Sequence, residues 1–218
     1  QLTFGVDTRR FSPAVDGSGI RRRYGLSDRP VIVCVSRLVP RKGQDSLIAA
    51  LPQVRRRVPD AALLLVGSGG HETALRRRIA ASGMDSHVVI TGAVPSQDLP
   101  ACYAAADVFA MPCRTRRHGL DVEGLGVVYL EAAATGLPVV AGDSGGAPDT
   151  VRHNETGYVV NGENGVELAD RLSSLLADRD LAARMGAAGR AWMCRDWTWQ
   201  RVADRLTAFL ECGDSGHR

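Results

Sequence analysis

EGLGVVYLE, residues 123–131, places a carboxylate at each end of a segment that opens on two glycines and continues apolar. It runs on as AAATGLPVVAG (132–142), a helical pattern closed by Gly136, stopped by Pro138 and followed by a β-branched run. The segment reads as loop, helix, strand, with Glu123 at or before the helix start and Glu131 well inside. If all eight steps are helical, a rise of about 1.5 Å per residue sets the carboxylates ~12 Å apart. Carboxylates that share one scissile bond lie ~5–9.5 Å apart, so this pair is spaced to grip two ends of one elongated ligand. Gly124 and Gly126 allow close approach to the backbone, and the first N–H groups of the helix, lacking partners within it, favour an anion such as phosphate. Two hydroxyl-bearing groups held by carboxylates with phosphate between them describe a nucleotide sugar. Taken alone, the stretch is more plainly a surface glutamate, a glycine turn and an amphipathic helix, and the rest of the chain must decide.

Working outward, five further runs have the look of strands: VIVCVS (31–36), ALLLV (62–66), HVVITG (87–92), DVFAMP (107–112) and GYVV (157–160), beside LPVVAG (137–142). The β-branched continuity of the first is that of a strand buried on both faces. Between them lie helical patterns: a brief one around Ile20–Tyr24, Gln44–Arg57 with Leu47, Ile48, Leu51 and Val54 on one face, His71–Ala81 closed by Gly83, and a capped helix within 95–106. Helices fill most of 165–211, and a final helix over Ala191–Leu210 carries Trp192, Trp197 and Trp199, an aromatic load that predicts docking against something. Strands alternating with helices predict an α/β fold: one Rossmann-like parallel sheet of about six strands with helices on both faces, forming a single domain over 1–218. Ligands of such sheets bind beyond the carboxyl ends of the strands, which selects the loops 37–43, 67–70 and 112–126.

Composition sets outer bounds. The chain has 218 residues, 44% hydrophobic and 23% charged, an ordinary globular balance. A net charge of +3 is too small to imply nucleic acid, although arginines cluster locally. The longest apolar run, Ala61–Val66, is far too short to cross a bilayer, and no signal-peptide pattern is present. Five scattered cysteines with no CxxC pair fit free thiols in a reducing, cytoplasmic compartment. The chain opens on Gln1 rather than Met, which predicts a portion of a longer protein.

Several residues in those loops could carry chemistry. Arg37 and Lys42, in SRLVPRKG (36–43), suit a diphosphate, the first as a planar fork and the second as a point charge; a solvated basic loop is the plainer alternative. GSGG (67–70) lacks the G-x-G-x-x-G spacing and no acidic residue ends the next strand, so NAD is disfavoured and a tight strand-to-helix turn is expected. GDSGGAP (142–148) is either a turn or a lid. RTRRH (114–118) could face a phosphorylated acceptor or a membrane headgroup, or simply solvent. Cys113 and His118 lack zinc-site spacing, so no structural metal is expected, and Ser36 and Ser144 sit in no nucleophile elbow.

GVDTRRFSP, SRLVPRKG, LVGSG, TGAV, ADVFAMPC, EGLGVVYLEAAATGLPVVAG, GGAPDTV and GYVV occur in that order over most of residues 5–160. This succession resembles the C-terminal, donor-binding domain of retaining GT-B glycosyltransferases of the GT4 type. Within that family, 111–151 is most similar to actinobacterial phosphatidylinositol mannoside mannosyltransferases, which transfer mannose from GDP-mannose to a monomannosylated phosphatidylinositol.

The resemblance implies roles by position. Arg37 and Lys42 would hold the diphosphate and stabilise charge as GDP leaves, and Glu131 would bind the ribose hydroxyls. Glu123, with the backbone at Leu125, Gly126 and Val127, would hold the hexose, and the backbone near Val94 would read the base edge. Arg37, Lys42 and Glu123 are thus the catalytic candidates. It implies no cofactor and no metal, a nucleotide sugar and a lipid-linked acceptor as partners, and peripheral contact with the inner face of the plasma membrane. It also implies a preceding domain with the acceptor site and a residue, usually His, near the donor sugar. Residues 1–29 would then connect the domains, and the last of the helices in 165–211 would pack on the other domain. A UDP-sugar donor with another acceptor, or a non-catalytic nucleotide-binding module, are the alternative readings.

Overall fold

A computed structural model describes residues 4–214, with side chains through Leu210. The apolar runs become β1 Val31–Val35, β2 Ala62–Val66, β3 Val88–Ile90, β4 Val108–Met111, β5 Val139–Gly142 and β6 Gly157–Val160. Four are shorter than the runs that foretold them, because their flanking residues leave the ladder for the connecting loops. All five neighbouring pairs are parallel, in the order β3-β2-β1-β4-β5-β6. Val33, at the centre, pairs with Leu64 on one side and Phe109 on the other.

The helices are α1 Ser18–Arg23, α2 Gln44–Arg57, α3 Glu72–Ser82, α4 Leu99–Ala104, α5 Val127–Ala134, α6 Gly165–Ala177, α7 Arg179–Asp196 and α8 Trp199–Asp214. α2 packs on α3 and α6, while α5 packs on α7 and α1 on α4. Right-handed crossovers put the strand-connecting helices α2 and α3 on one face of the sheet and α4 and α5 on the other, and α6 joins the first pair through α2 while α1 and α7 join the second through α4 and α5. With both faces covered, β1, β2, β4 and β5 are buried at every position. Each fully buried Val or Leu of this layer contributes about 1.5–3 kcal/mol relative to exposure. That apolar face also carries α2 through Pro52, whose missing N–H would otherwise break a helix interior; Leu47, Ile48, Leu51 and Val54 are all buried.

Two expectations need correction. The helix expected within 95–106 starts as a 3-10 turn over Ser96–Asp98 and has no side-chain cap. The expected helix over Ala191–Leu210 is two helices, broken at Trp197 and Thr198. Trp197 turns inward there, 8% exposed, with its ring at 90° to Trp192 and 5.6 Å away. Trp192 also lies under the Arg152 guanidinium at 4.5 Å. Two of the three tryptophans are therefore satisfied within the chain, and only Trp199, 56% exposed, is not. The break is where the start of the described chain fastens: Val6 N–H donates to Trp197 O at 2.8 Å with Val6 buried, while Phe11 is buried farther along against Tyr103.

Candidate functional site

The sheet order reverses between β1 and β4, and the loops that leave their carboxyl ends diverge there. Gln44, wholly buried at the start of α2, donates from Nε2 to Ser36 Oγ at 2.8 Å and to Arg37 O at 2.9 Å. It fixes the loop backbone while the Arg37 side chain stays exposed. Pro40–Lys42 form a 3-10 turn ended by Gly43 at φ 77°. A Cβ on Gly43 would stand 2.1 Å from Pro112 O, so glycine is what lets the loop after β4 cross against the loop after β1.

That crossing makes the first contact of the site. Lys42 Nζ donates to Glu123 Oε2 at 2.6 Å, with the two residues only 8% and 5% exposed. Arg41 Nε lies 3.9 Å from the same oxygen and Arg41 Nη1 3.4 Å from Asp121. Arg114 donates to Asp45 at 2.7 Å and to Ser46 Oγ at 2.9 Å. Four charge contacts thus lace residues 41–46 to 114–123. The sequence reading set Lys42 against the middle of a ligand and Glu123 against its end; here the two neutralise one another.

Under Glu123 lies the GDSGG turn. Ser144 Oγ accepts from Glu123 N–H at 3.3 Å, and Gly146 N–H donates to Glu123 O at 3.1 Å and Gly124 O at 3.0 Å. Gly145, at φ 56°, could carry no side chain, because a Cβ would fall 1.7 Å from Glu123 O. Of the turn and the lid, this segment is a turn that beds the glutamate loop. GSGG likewise spends its polar groups on structure: Ser68 O accepts from Leu38 N–H at 2.9 Å, and Gly67 N–H donates to Gly92 O at 3.0 Å.

α5 begins at Val127, so the helical rise applies only from there, and the ~12 Å separation derived for a continuous helix does not apply. The N–H groups of Leu125, Gly126, Val127 and Val128 donate to no acceptor among the described residues. They form an open donor set at a helix N-terminus, directly after Glu123. Glu131, one turn inside, accepts from Tyr103 Oη at 2.7 Å. Burial raises its carboxyl above the usual range, against the opposing influence of the Tyr103 hydrogen bond and the Arg10 charge. Tyr103 belongs to an aromatic column, Phe11, Tyr103, Phe109 and Tyr129, with centroids 5.6, 5.8 and 5.6 Å apart. Tyr129 Oη donates to Met111 O at 2.7 Å, which ties α5 to the end of β4.

Arg37 and Val94 meet in a cavity of about 200 Å³ at the carboxyl ends of β1 and β2, lined also by Ser36, Gly67, Ser68 and Leu99. A larger cavity of about 430 Å³ opens at the other end of the sheet, between Arg21, Asp107, Leu137, Leu176 and Arg179. It is a poor candidate for the site. It lies at the amino ends of the strands, and Arg21 is already spent on Ser27 O, Arg29 O and Asp107.

The structure therefore brings together Lys42, Glu123, Leu125, Gly126 and Val127, places Arg37 with Val94, and sets Glu131 in the same helix that carries the open amides. Sequence reasoning missed Arg41, Tyr103, Gln44 and Ser144. Arg41 stood beside Lys42 in PRKG and Ser144 in the glycine turn, but Tyr103 sits in an alanine-rich helix that gives no sign of a polar partner.

The family model for glycosyl transferases group 1 matches residues 19–192. A GDP-mannose-dependent alpha-(1-6)-phosphatidylinositol monomannoside mannosyltransferase of Mycobacterium tuberculosis is 54% identical over 212 residues, 97% of this chain and 55% of that protein. Its counterpart in Mycolicibacterium smegmatis is 56% identical over 207 residues, 94% of this chain and 54% of that protein. The chain spans about half the length of these relatives. Among solved structures, sucrose-phosphate synthase from Thermosynechococcus elongatus superposes with a TM-score of 0.84 at 28% identity, covering 98% of this chain and 52% of that one. Anabaena HepE in complex with UDP gives a TM-score of 0.84 at 27% identity, covering 95% of this chain and 56% of that one. With a doubly wound sheet, a charge cluster at its switch point and these likenesses together, the chain belongs to the group 1 glycosyltransferases, in the half of the GT-B fold that the sequence motifs pointed to.

Proposed function

We propose that this chain is the donor-binding half of a retaining mannosyltransferase that takes mannose from GDP-mannose to phosphatidylinositol monomannoside. The observation that carries the reading is the buried Lys42–Glu123 contact beside the open amides of Leu125 to Val128. A preorganised cation and a row of free donors are what a leaving diphosphate and its sugar require. In this reading Arg37 and Lys42 neutralise the diphosphate as GDP departs, and Glu131, hydrogen-bonded to Tyr103, takes the ribose. Glu123 and the amides of Leu125, Gly126 and Val127 hold the hexose, while the backbone at Val94 reads the base. Positioning and electrostatic stabilisation are then the protein's main contribution, with the departing diphosphate accepting the acceptor's proton on the face it leaves. The two cations do this work without a metal, so a chelator should leave transfer unchanged.

The mycobacterial relatives are nearly twice as long as this chain, and we assign the acceptor site to a preceding domain. The outer face of α8, with Trp199, Leu206, Phe209 and Leu210 exposed, is where that domain would pack. Among the described residues no helix is long and apolar enough to cross a membrane. We place the protein in the cytoplasm, peripherally at the inner face of the plasma membrane. Calorimetric titration tests the donor: GDP should bind, UDP should compete poorly, and Lys42→Ala should weaken GDP more than guanosine. Equal losses for GDP and guanosine would remove Lys42 from the diphosphate, and tighter UDP than GDP would favour the UDP-sugar reading that HepE's bound nucleotide suggests. Alone, the chain should bind GDP and transfer little mannose.

A further inference from the structure

Residues 116–121 form a tight hairpin that the donor site does not use. Arg116 N–H donates to Asp121 O at 2.9 Å and Asp121 N–H to Arg116 O at 3.1 Å, closing it at the base. Arg117, His118 and Gly119 follow one another in the left-handed region, at φ 52°, 52° and 91°. Two non-glycine residues in succession there are uncommon and fix a sharp reversal. The reversal lifts Leu120 outward to 89% exposure, the highest of the large apolar side chains among the described residues, with Val122 at 42% beside it.

The charges around this tip are unevenly committed. Arg114 is consumed by Asp45, and Arg41 by Asp121 and Glu123. Arg116 and Arg117 make no side-chain hydrogen bond or ion pair among the described residues. Asp121, the one carboxylate of the hairpin, is already matched. The tip therefore offers an unpaired apolar side chain preceded by two unneutralised arginines, two residues short of Val122 and three short of Glu123. That combination suits an anionic lipid surface: a leucine to enter the headgroup boundary and guanidinium groups to meet lipid phosphates.

We propose that the 116–122 hairpin docks on an anionic membrane, with Leu120 inserted at the headgroup level and Arg116 and Arg117 on phosphate. This rests on the reading of a lipid-borne acceptor, because the contact would hold the sugar end of the donor site against the surface that presents the acceptor. Arg41 ties the hairpin to Glu123, so seating the hairpin also seats the glutamate loop.

Flotation of the 218-residue chain with phosphatidylcholine vesicles, with and without phosphatidylinositol, tests the proposal. The wild-type chain should partition to the vesicles that contain phosphatidylinositol. Arg116→Ala with Arg117→Ala should lower partition about 25-fold, at roughly fivefold per arginine, and raised salt should mimic it. Leu120→Ser should lower it about tenfold. Arg77→Ala with Arg78→Ala removes the same charge from the exposed face of α3 and should change little. Wild-type protein that ignores phosphatidylinositol, hairpin variants that float like wild type, or a control pair as damaging as the hairpin pair would each overturn the proposal. A protein partner at the hairpin would appear as the first of these. GDP titration of the same variants separates this from the donor-site reading: hairpin-dependent flotation without GDP binding by any form would sink that reading and leave the membrane contact standing.

Discussion

Lys42→Met should destabilise the fold by about 3–5 kcal/mol, the cost of leaving a buried carboxylate without its partner. The structure sets that figure. Glu123 is 5% exposed, Lys42 Nζ lies 2.6 Å away, and the remaining cation, Arg41 Nε, stands off at 3.9 Å. An unfolding entropy of about 2.1 cal/mol/K per residue over 218 residues gives ~0.46 kcal/mol per degree, so Tm should fall by about 7–11 °C. Glu123→Gln should also destabilise, by burying an uncompensated ammonium. The double variant removes both charges and should recover about 2–3 kcal/mol relative to the sum of the singles. Thermal melts and urea titrations of the four proteins measure the cycle. Single variants that melt within a degree of wild type, or a double variant that is merely additive, would show that the two charges are solvated separately and would refute the clasp. The same cycle with GDP present bears on function: phosphate offers Lys42 a second partner, so GDP should raise the Tm of wild type more than that of Lys42→Met.

Glu131→Gln should be more stable than wild type near neutral pH. Burial raises the Glu131 carboxyl above its ordinary value of 4.5, so its favourable contribution is full below that value and is lost as pH rises through the folded pKa. The Tm gap between variant and wild type should therefore open with rising pH, while the variant binds GDP more weakly than wild type; a gap independent of pH would contradict it. Gly43→Ala should cost about 2–5 kcal/mol, combining a left-handed φ with a Cβ 2.1 Å from Pro112 O, and should reduce GDP affinity because it parts the two loops. Trp197→Ala should cost about 3–5 kcal/mol and Trp199→Ala less than about 1, read by urea unfolding, because only the first is buried.

The architecture was open to reading from the chain alone because each element obeys a local rule. VIVCV and ALLLV are continuous apolar runs, which only a strand covered on both faces can use, and Leu47, Ile48, Leu51 and Val54 repeat at the helical period. The alternation of such elements implies a parallel sheet, and the parallel sheet implies which loops meet a ligand. Arg37, Lys42 and Glu123 could be picked out for that reason, and the motif succession raised them above solvated charges. The C-terminal tryptophans mark the limit of that reasoning. Their spacing fits one helix with an aromatic face, but Val6, far away in sequence, takes the carbonyl of Trp197, and the helix breaks there.

By itself the sequence determined the kind of fold, the order of its elements and the rim at which sheets of this kind take their ligands, because periodicity and turn chemistry are properties of neighbouring residues. Only the tertiary structure decided that Lys42 and Glu123 neutralise each other, that Tyr103 holds Glu131, and that Arg114 belongs to Asp45 while Arg116 and Arg117 belong to no one in the described chain. Lys42 and Glu123 are 81 residues apart and Arg114 and Asp45 are 69 apart. Charges so distant in the chain choose partners by where the sheet carries their loops, and no local pattern encodes that choice.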